Sequence, residues 1–166
     1  MRQFYDTFST PIGDFSVALA ADRSVIATAF GGLAELRERF TPDEVIHDPA
    51  RAVEVRREIT EYFAGKRKQF TVALSASGTM FQQQVWAALR RIPFGKTRSY
   101  GELAADLGNP DASRAVGRAN ATNPICLIVP CHRVIGADGS LTGFAFGEEI
   151  KRQLLEHEGS LAPLQW

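Results

Sequence analysis

SYGELAADLGNPDASRAVGRANATNPICLIVPCHRVIG, residues Ser99 to Gly136, holds two short helical patterns, a proline stop, an apolar run and a thiol beside an imidazole. Ser99 reads as an N-cap with Glu102 three residues on, the capping-box arrangement that satisfies two orphan donors at a helix start. Gly108 closes that helix, Asn109-Pro110-Asp111 turns the chain, and ASRAVGRANA (Ala112 to Ala121) supplies a second helix. Two short helices across a tight turn fit a helix-turn-helix. On spacing alone, an ordinary αα-hairpin is the commoner reading. Asn123 precedes a proline, which pushes it out of the helical region and ends the second helix. ICLIVP (Ile125 to Pro130) then predicts a buried strand, stopped by a proline that cannot donate to a ladder. Cys131 would sit where that strand breaks off.

The flanks differ in texture. Upstream, FYDTF (Phe4 to Phe8), a Pro11-Ile12-Gly13-Asp14 turn and FSVALAAD (Phe15 to Asp22) predict a hairpin. SVIATAF (Ser24 to Phe30) predicts a third strand, closed by Gly31-Gly32. Leu33 to Phe40 reads as a short helix and Pro49 to Gly65 as a longer one, with Val53, Ile59 and Phe63 in helical period. Phe70 to Leu74 reads as a further strand. The small polar stretch Ser75 to Thr79 is a candidate linker. Beyond it, FQQQVWAALRRI puts Phe81, Val85, Trp86, Leu89 and Ile92 on one helical face. GEEIKRQLLEHEG (Gly147 to Gly159) makes a last helix, with Glu148 and Glu149 at its positive end. The expected class is α+β: residues 1–75 form an N-terminal domain, and residues 76–166 form a C-terminal helical domain.

Composition narrows the function. The chain has 166 residues, 45% of them apolar, enough to bury a core. No run reaches the about 18 apolar residues that span a bilayer. MRQFYDTFSTPIGDF has no apolar h-region, so a cytoplasmic address is the default expectation, or a nuclear one in a eukaryote. Two cysteines cannot build a disulfide framework. An extended run would hold Cys126 and Cys131 roughly 16 Å apart, at about 3.3 Å per residue, too far to bond. His47, His132 and His157 are scattered, with no metal-ligand spacing, so no metal is expected. Lys plus Arg and Asp plus Glu are 19 each, which argues against coating nucleic acid by bulk charge. From Arg90 to Arg133, however, seven basic residues (Arg90, Arg91, Lys96, Arg98, Arg114, Arg118, Arg133) face three acids (Glu102, Asp106, Asp111).

The Cys131-His132 pair has two readings. A buried structural thiol is the commoner fate of cysteine. As a nucleophile, Cys131 must react as thiolate, and an unperturbed thiol is only slightly ionised at neutral pH. His132 is the nearest base, but in an extended segment adjacent side chains point to opposite faces, so the two meet only through a bend or a water. Glu158, at the end of the last helix, is a candidate to orient the imidazole; its bland reading is a solvated helix end.

Pro130-Cys131-His132-Arg133, preceded by Asn123-Pro124 and followed by LTGF and LLEHEG, resembles the active-site region of the O6-alkylguanine-DNA alkyltransferases. FQQQVWAALRRIPFGKTRSYGELA (Phe81 to Ala104) and RAVGRAN (Arg114 to Asn120) match in the same order. The first 75 residues match only through the early TPIG turn and the strand-rich pattern. The resemblance implies a ribonuclease H-like N-terminal domain and a C-terminal domain with a winged helix-turn-helix. It implies DNA repair: single, irreversible transfer of an alkyl group from O6 of guanine, and from O4 of thymine, to the protein's own cysteine, with no cofactor. It casts Cys131 as acceptor, His132 as the base that works through a water, and Glu158 as its orienting carboxylate. Asn123 would hold the turn under the site, and Tyr100 would assist rotation of the nucleotide and hydrogen-bond the leaving guanine. Arg114 would fill the gap in the base stack, with Ala115, Gly117 and Arg118 against DNA. Val134, Phe144 and Phe146 would line the pocket, and Arg133 would have a structural role, helping join the two halves. The partner implied is double-stranded DNA, held in the minor groove with the damaged base flipped out, by a monomer.

The physics agrees with that implication. A carbon hidden in a duplex is reached only by extruding its base, and an inserted side chain can hold the vacancy. The minor groove's degenerate code suits a search for damage in any sequence. The chain departs from the pattern at Phe144-Ala145-Phe146-Gly147, where the family commonly has Tyr-Ala-Gly-Gly. Phe146 would narrow the pocket or add a stacking surface. Some members carry an N-terminal structural zinc; this N-terminal half has only His47, so no zinc is expected. Two rivals remain open: a DNA-binding regulator without chemistry, and a thiol hydrolase built on Cys131, His132 and Glu158.

Overall fold

The computed structural model describes residues 2–42 and 44–162. The chain divides into two compact units, one of residues 1–77 with 124–126, the other of residues 78–123 with 127–166.

In the first unit, β1 (Arg2–Thr10), β2 (Gly13–Leu19), β3 (Val25–Phe30) and β4 (Glu44–His47) form one sheet in the order β3-β2-β1-β4. The β1–β2 hairpin pairs Phe4 with Leu19 through Thr10 with Gly13. Its turn needs a positive φ, which Gly13 supplies at 116°. Phe15 to Leu19 are all buried, as expected for a strand with neighbours on both sides and both faces covered. Helix α1 (Leu33–Arg37) follows β3. Helix α2 (Val53–Phe63) buries Val55, Ile59 and Tyr62, a stripe at i, i+4 and i+7. Asp6, buried on β1, takes Nη1 of Arg56 at 2.7 Å and Nε2 of His47 at 3.2 Å.

One sequence expectation fails here, and one element is new. Phe70 to Leu74 forms no strand beyond a single bridge from Leu74 to Val25. Its amides are captured instead by the buried Glu58 carboxylate, which accepts from N–H of Thr71 at 2.8 Å and of Val72 at 3.3 Å. The short edge strand β4 was not foreseen.

In the second unit, α3 (Met80–Arg90) starts at Thr79, whose hydroxyl accepts from the Gln82 amide at 3.1 Å. Val85, Trp86 and Leu89 form its buried face, as the periodicity predicts. β5 (Arg98–Ser99) leads into α4 (Tyr100–Asp106). The Ser99–Glu102 capping box is present, at 3.1 and 3.0 Å, and Gly108 takes φ 79° past the helix end. Helix α5 (Ser113–Ala121) follows. It receives Nε1–H of Trp86 on the Ala119 carbonyl at 2.8 Å, and α3 and α4 both pack on it. β6 (Val134–Ile135) pairs in parallel with β5, and α6 (Glu148–His157) closes the unit.

The expected strand from Ile125 to Pro130 is a correction. Ile125 makes one bridge to Thr28, and the chain then turns at Leu127, with φ 73°. That left-handed conformation costs a branched residue about 1–2 kcal/mol, offset by complete burial of the leucine. The backbone polar groups find partners outside a ladder. Thr28 donates its hydroxyl to the Cys126 carbonyl at 2.7 Å, and Asn123 Nδ2 donates to the Val129 carbonyl at 2.9 Å.

Candidate active site

Cys131 opens a single 3-10 turn, Cys131–Arg133, rather than extending a strand. Its N–H donates to the Val129 carbonyl at 2.8 Å, and that of Arg133 to the Pro130 carbonyl at 3.0 Å. Asn123 secures the same Val129 carbonyl from the end of α5. In a 3-10 turn successive side chains diverge by about 120°, so the opposition expected of an extended segment is relieved. Both cysteines are buried thiols outside any disulfide. Cys126 lies against Thr28, its Sγ 3.3 Å from that hydroxyl, and belongs to the other unit.

His132 is fully buried. Its Nε2 lies 2.8 Å from Oε2 of Glu158, the residue that caps α6. The carboxylate also takes Nε of Arg133 at 2.8 Å on Oε1 and Nη2 at 3.0 Å on Oε2, while Nη1 donates to the Ile92 carbonyl at 2.7 Å. The bonds shown for Arg133 thus serve the His132–Glu158 pair from within its own unit. Burial alone would raise the Glu158 carboxyl, but the charge and hydrogen bonds of His132 and Arg133 outweigh it and hold the group well below the usual carboxylate range. Burial pushes His132 down, against the pull of Glu158. We assign the pair as neutral imidazole and carboxylate, with Nε2–H donating. Nδ1 has no hydrogen-bond partner among the described residues and keeps its lone pair.

Tyr100 stands at the first position of α4. Its hydroxyl donates to the Thr142 carbonyl at 3.0 Å. Burial and then the nearby Cys131 sulfur raise its pKa. Gly143 permits this contact: it takes φ 87°, and a Cβ there would fall 2.6 Å from the Tyr100 hydroxyl. Lys151, fully buried on α6, donates to the Val134 carbonyl at 2.6 Å and faces that of Thr142 at 3.4 Å. Burial pulls its ammonium down to about 8, opposed by Cys131 and Glu148. The sequence reading missed Lys151. Its signal was there: Lys151, Leu154, Leu155 and Glu158 repeat at i, i+3, i+4 and i+7, so two charged residues lie on the buried stripe of α6.

An open groove of about 570 Å³ runs beside Tyr100, lined by Arg114, Gly117 and Arg118 of α5 and by the Thr142-Gly143 loop. Arg114 and Arg118 are exposed at its edge. Ala115 is half-buried and does not line it, nor do Val134, Phe144 or Phe146. Phe144 is buried, and its ring meets that of Phe146 edge-on at 5.7 Å.

Comparison with known proteins settles the family. Residues 80–160 match the model of the 6-O-methylguanine DNA methyltransferase DNA-binding domain, and residues 3–76 match that of the ribonuclease-like domain of the same proteins. A Methanosarcina acetivorans methylated-DNA–protein-cysteine methyltransferase is 46% identical over 157 residues, covering 95% of this chain and 99% of that protein.

The chain belongs to the 6-O-methylguanine DNA methyltransferase family.

A Mycobacterium tuberculosis relative of the same name is 47% identical over 161 residues, covering 96% of this chain and 94% of the relative. Among solved structures of the family, Mycobacterium tuberculosis OGT in complex with DNA superimposes with a TM-score of 0.85 at 44% identity, over 95% of this chain and 93% of that one. The Mycobacterium tuberculosis O6-methylguanine methyltransferase superimposes with a TM-score of 0.83 at 42% identity, over 98% and 96%. These likenesses establish the expected α+β architecture, a ribonuclease-like domain followed by a DNA-binding one. No helix among the described residues is long and apolar enough to cross a membrane.

Proposed function

We propose that the chain repairs O6-alkylguanine in DNA, and O4-alkylthymine with it, by a single irreversible alkyl transfer to Cys131. One observation carries the assignment to that residue. The buried His132–Glu158 pair leaves an imidazole lone pair at Nδ1, one residue from a cysteine close enough to shift the titration of Tyr100 and Lys151.

His132 Nδ1 takes the thiol proton through a bridging water, and Glu158 holds the imidazole in the tautomer that can accept it. The Lys151 ammonium lowers the cost of the resulting thiolate. The sulfur attacks the alkyl carbon in line. The S–C bond forms as the C–O6 bond breaks, and the electron pair leaves on guanine, which Tyr100 hydrogen-bonds when its hydroxyl turns from the Thr142 carbonyl. The thioether is stable, so each molecule acts once and consumes no cofactor. Duplex DNA lies along the groove at α5, minor groove inward, with Arg114 in the stack in place of the extruded nucleotide and Arg118 and the small residues Ala115 and Gly117 near the backbone. Asn123 positions the turn beneath the site. Val134, Phe144 and Phe146 bound the alkyl pocket. The protein acts as a monomer in the cytoplasm.

The test is mass spectrometry after mixing with an O6-methylguanine duplex. One methyl in place of hydrogen is expected on the peptide carrying Cys131, and Cys131→Ser should bind the duplex without gaining mass. Repeated turnover of esters or amides with no mass gain would instead establish the hydrolase that a Cys-His-Glu arrangement also allows.

A further inference from the structure

A cavity of about 700 Å³ opens in the first unit, and every residue lining it belongs to that unit. Cavities of this size take small molecules. None of its residues has a part in the alkyl-transfer reading. Arg2 and Arg39 bring positive charge to its wall and Asp22 negative charge, while Ile26 and Phe40, both half-buried, add an apolar face. Ser75 and Ser77, two residues apart in the stretch that reads as a linker, add hydroxyls.

The polar groups are set for a ligand. Oδ1 of Asp22 accepts the Ser24 hydroxyl at 2.6 Å and the Ser24 N–H at 3.0 Å. Those bonds hold the carboxyl below its ordinary value, so it is ionised, and Oδ2 stays outside them. The turn that presents Asp22 is strained: Arg23 takes φ 71°, a left-handed conformation unfavourable to a residue with a side chain. Arg23 is exposed, so burial returns nothing, and strain of this kind clusters at functional sites. Arg2 meets Glu44 through an exposed contact at 3.5 Å, a weak tie that yields to a ligand. Gln3 Oε1, also on the wall, is buried and has no hydrogen-bond partner among the described residues. Rotation about the last, soft torsion of that side chain turns its amide toward a ligand.

We propose that this cavity binds a guanine mononucleotide. Its phosphate lies between the Arg2 and Arg39 guanidiniums, whose forks match phosphate oxygens. Its base lies against Phe40, and the adjacent N1–H and N2–H donors of guanine meet the Asp22 carboxylate. Adenine presents an acceptor at N1, which that carboxylate repels. A free nucleotide and the 5′-terminal nucleotide of a DNA strand offer the same chemistry.

Calorimetric titration of the whole protein with dGMP should show one site, with dAMP at least about tenfold weaker. Asp22→Asn keeps the turn, because the new amide oxygen still accepts from Ser24, but sets an N–H against the guanine donors. Its dGMP affinity should fall about tenfold or more, with melting temperature and methyl transfer unchanged. No dGMP binding up to about 1 mM, equal binding of dAMP, or full affinity in Asp22→Asn overturns the proposal. So does any slowing by dGMP of methyl transfer from the free O6-methylguanine base, which would place the nucleotide beside Cys131. A single strand with a 5′-phosphorylated dG separates the two sources. Binding tighter than dGMP, by a margin lost in Asp22→Asn, identifies the strand end as ligand; weaker binding identifies the free nucleotide. A wild-type protein that gains no methyl at Cys131 sinks the alkyl-transfer reading and leaves the dGMP titration standing.

Discussion

Glu158 gathers three side-chain donors on two buried oxygens. Replacing it with glutamine keeps the shape, removes the charge, and turns one oxygen into a donor facing Arg133 or His132. Breaking a buried ion pair costs about 3–5 kcal/mol, and loss of the imbalance that fixes the imidazole tautomer slows chemistry steeply. Glu158→Gln should therefore transfer methyl at least about 100-fold more slowly and unfold at lower urea. The pH sense follows from the lowered carboxyl. Its stabilisation is full above the unfolded value of about 4.3 and is lost as pH falls below that. The gap between wild type and variant in urea titrations should narrow below about pH 4. Lys151 is the cation that Cys131 influences. Its ammonium, depressed by burial to about 8, is charged at neutral pH and loses its proton as pH rises through that value. Wild-type methyl transfer should thus stop rising with pH near there, although more thiol ionises. Lys151→Met should move the midpoint of Cys131 alkylation by iodoacetamide upward by about one pH unit, read from rates across pH 6 to 10.

Helix α5 brings Arg114 to the groove rim with its guanidinium exposed. If it replaces the extruded base, Arg114→Ala should slow repair of a duplex lesion about tenfold or more while leaving reaction with free O6-methylguanine base unchanged. Equal slowing on both would assign Arg114 to the chemistry instead. Elements α3 to α6 were legible because their signals are local: Ser99 as a cap, Gly108 as a stop, an apolar stripe on α3, and Glu148 and Glu149 at the start of α6. The Cys131 turn was not. Ile125 to Pro130 has the composition of a buried strand, but Thr28, 98 residues from Cys126, and Asn123 claim its carbonyls outside a ladder. β4 escaped for the same reason: its parallel partner β1 is some forty residues distant. Within the candidate site, Cys131, His132 and Glu158 were readable as residue types, but their meeting was not. Lys151 looked like an ordinary helix charge until Val134 and Thr142 supplied its acceptors.

Over the whole chain positive and negative residues balance, so affinity for DNA rests on which cations are unspent. Of the seven between Arg90 and Arg133, Arg133 is buried on Glu158. Arg98 is held by Asp106 at 2.5 Å and Glu102 at 3.2 Å, which already neutralise it. Arg90, Arg91, Lys96, Arg114 and Arg118 are exposed. Some three to five phosphate contacts give a slope of log affinity against log salt of about −3 to −4.5, since each neutralised phosphate contributes about −0.9. Raising NaCl from 50 to 200 mM should then weaken binding about 100-fold, well short of the losses seen with proteins that make twice as many contacts. Fluorescence anisotropy of a labelled duplex across that range measures it. Arg118→Ala should flatten the slope by about one, and Arg98→Ala should leave it where it is, because its counter-charges come from the adjoining helix α4. A slope steeper than about −6 would mean that cations outside this set meet the phosphates, and the groove beside α5 would no longer account for how the protein holds DNA.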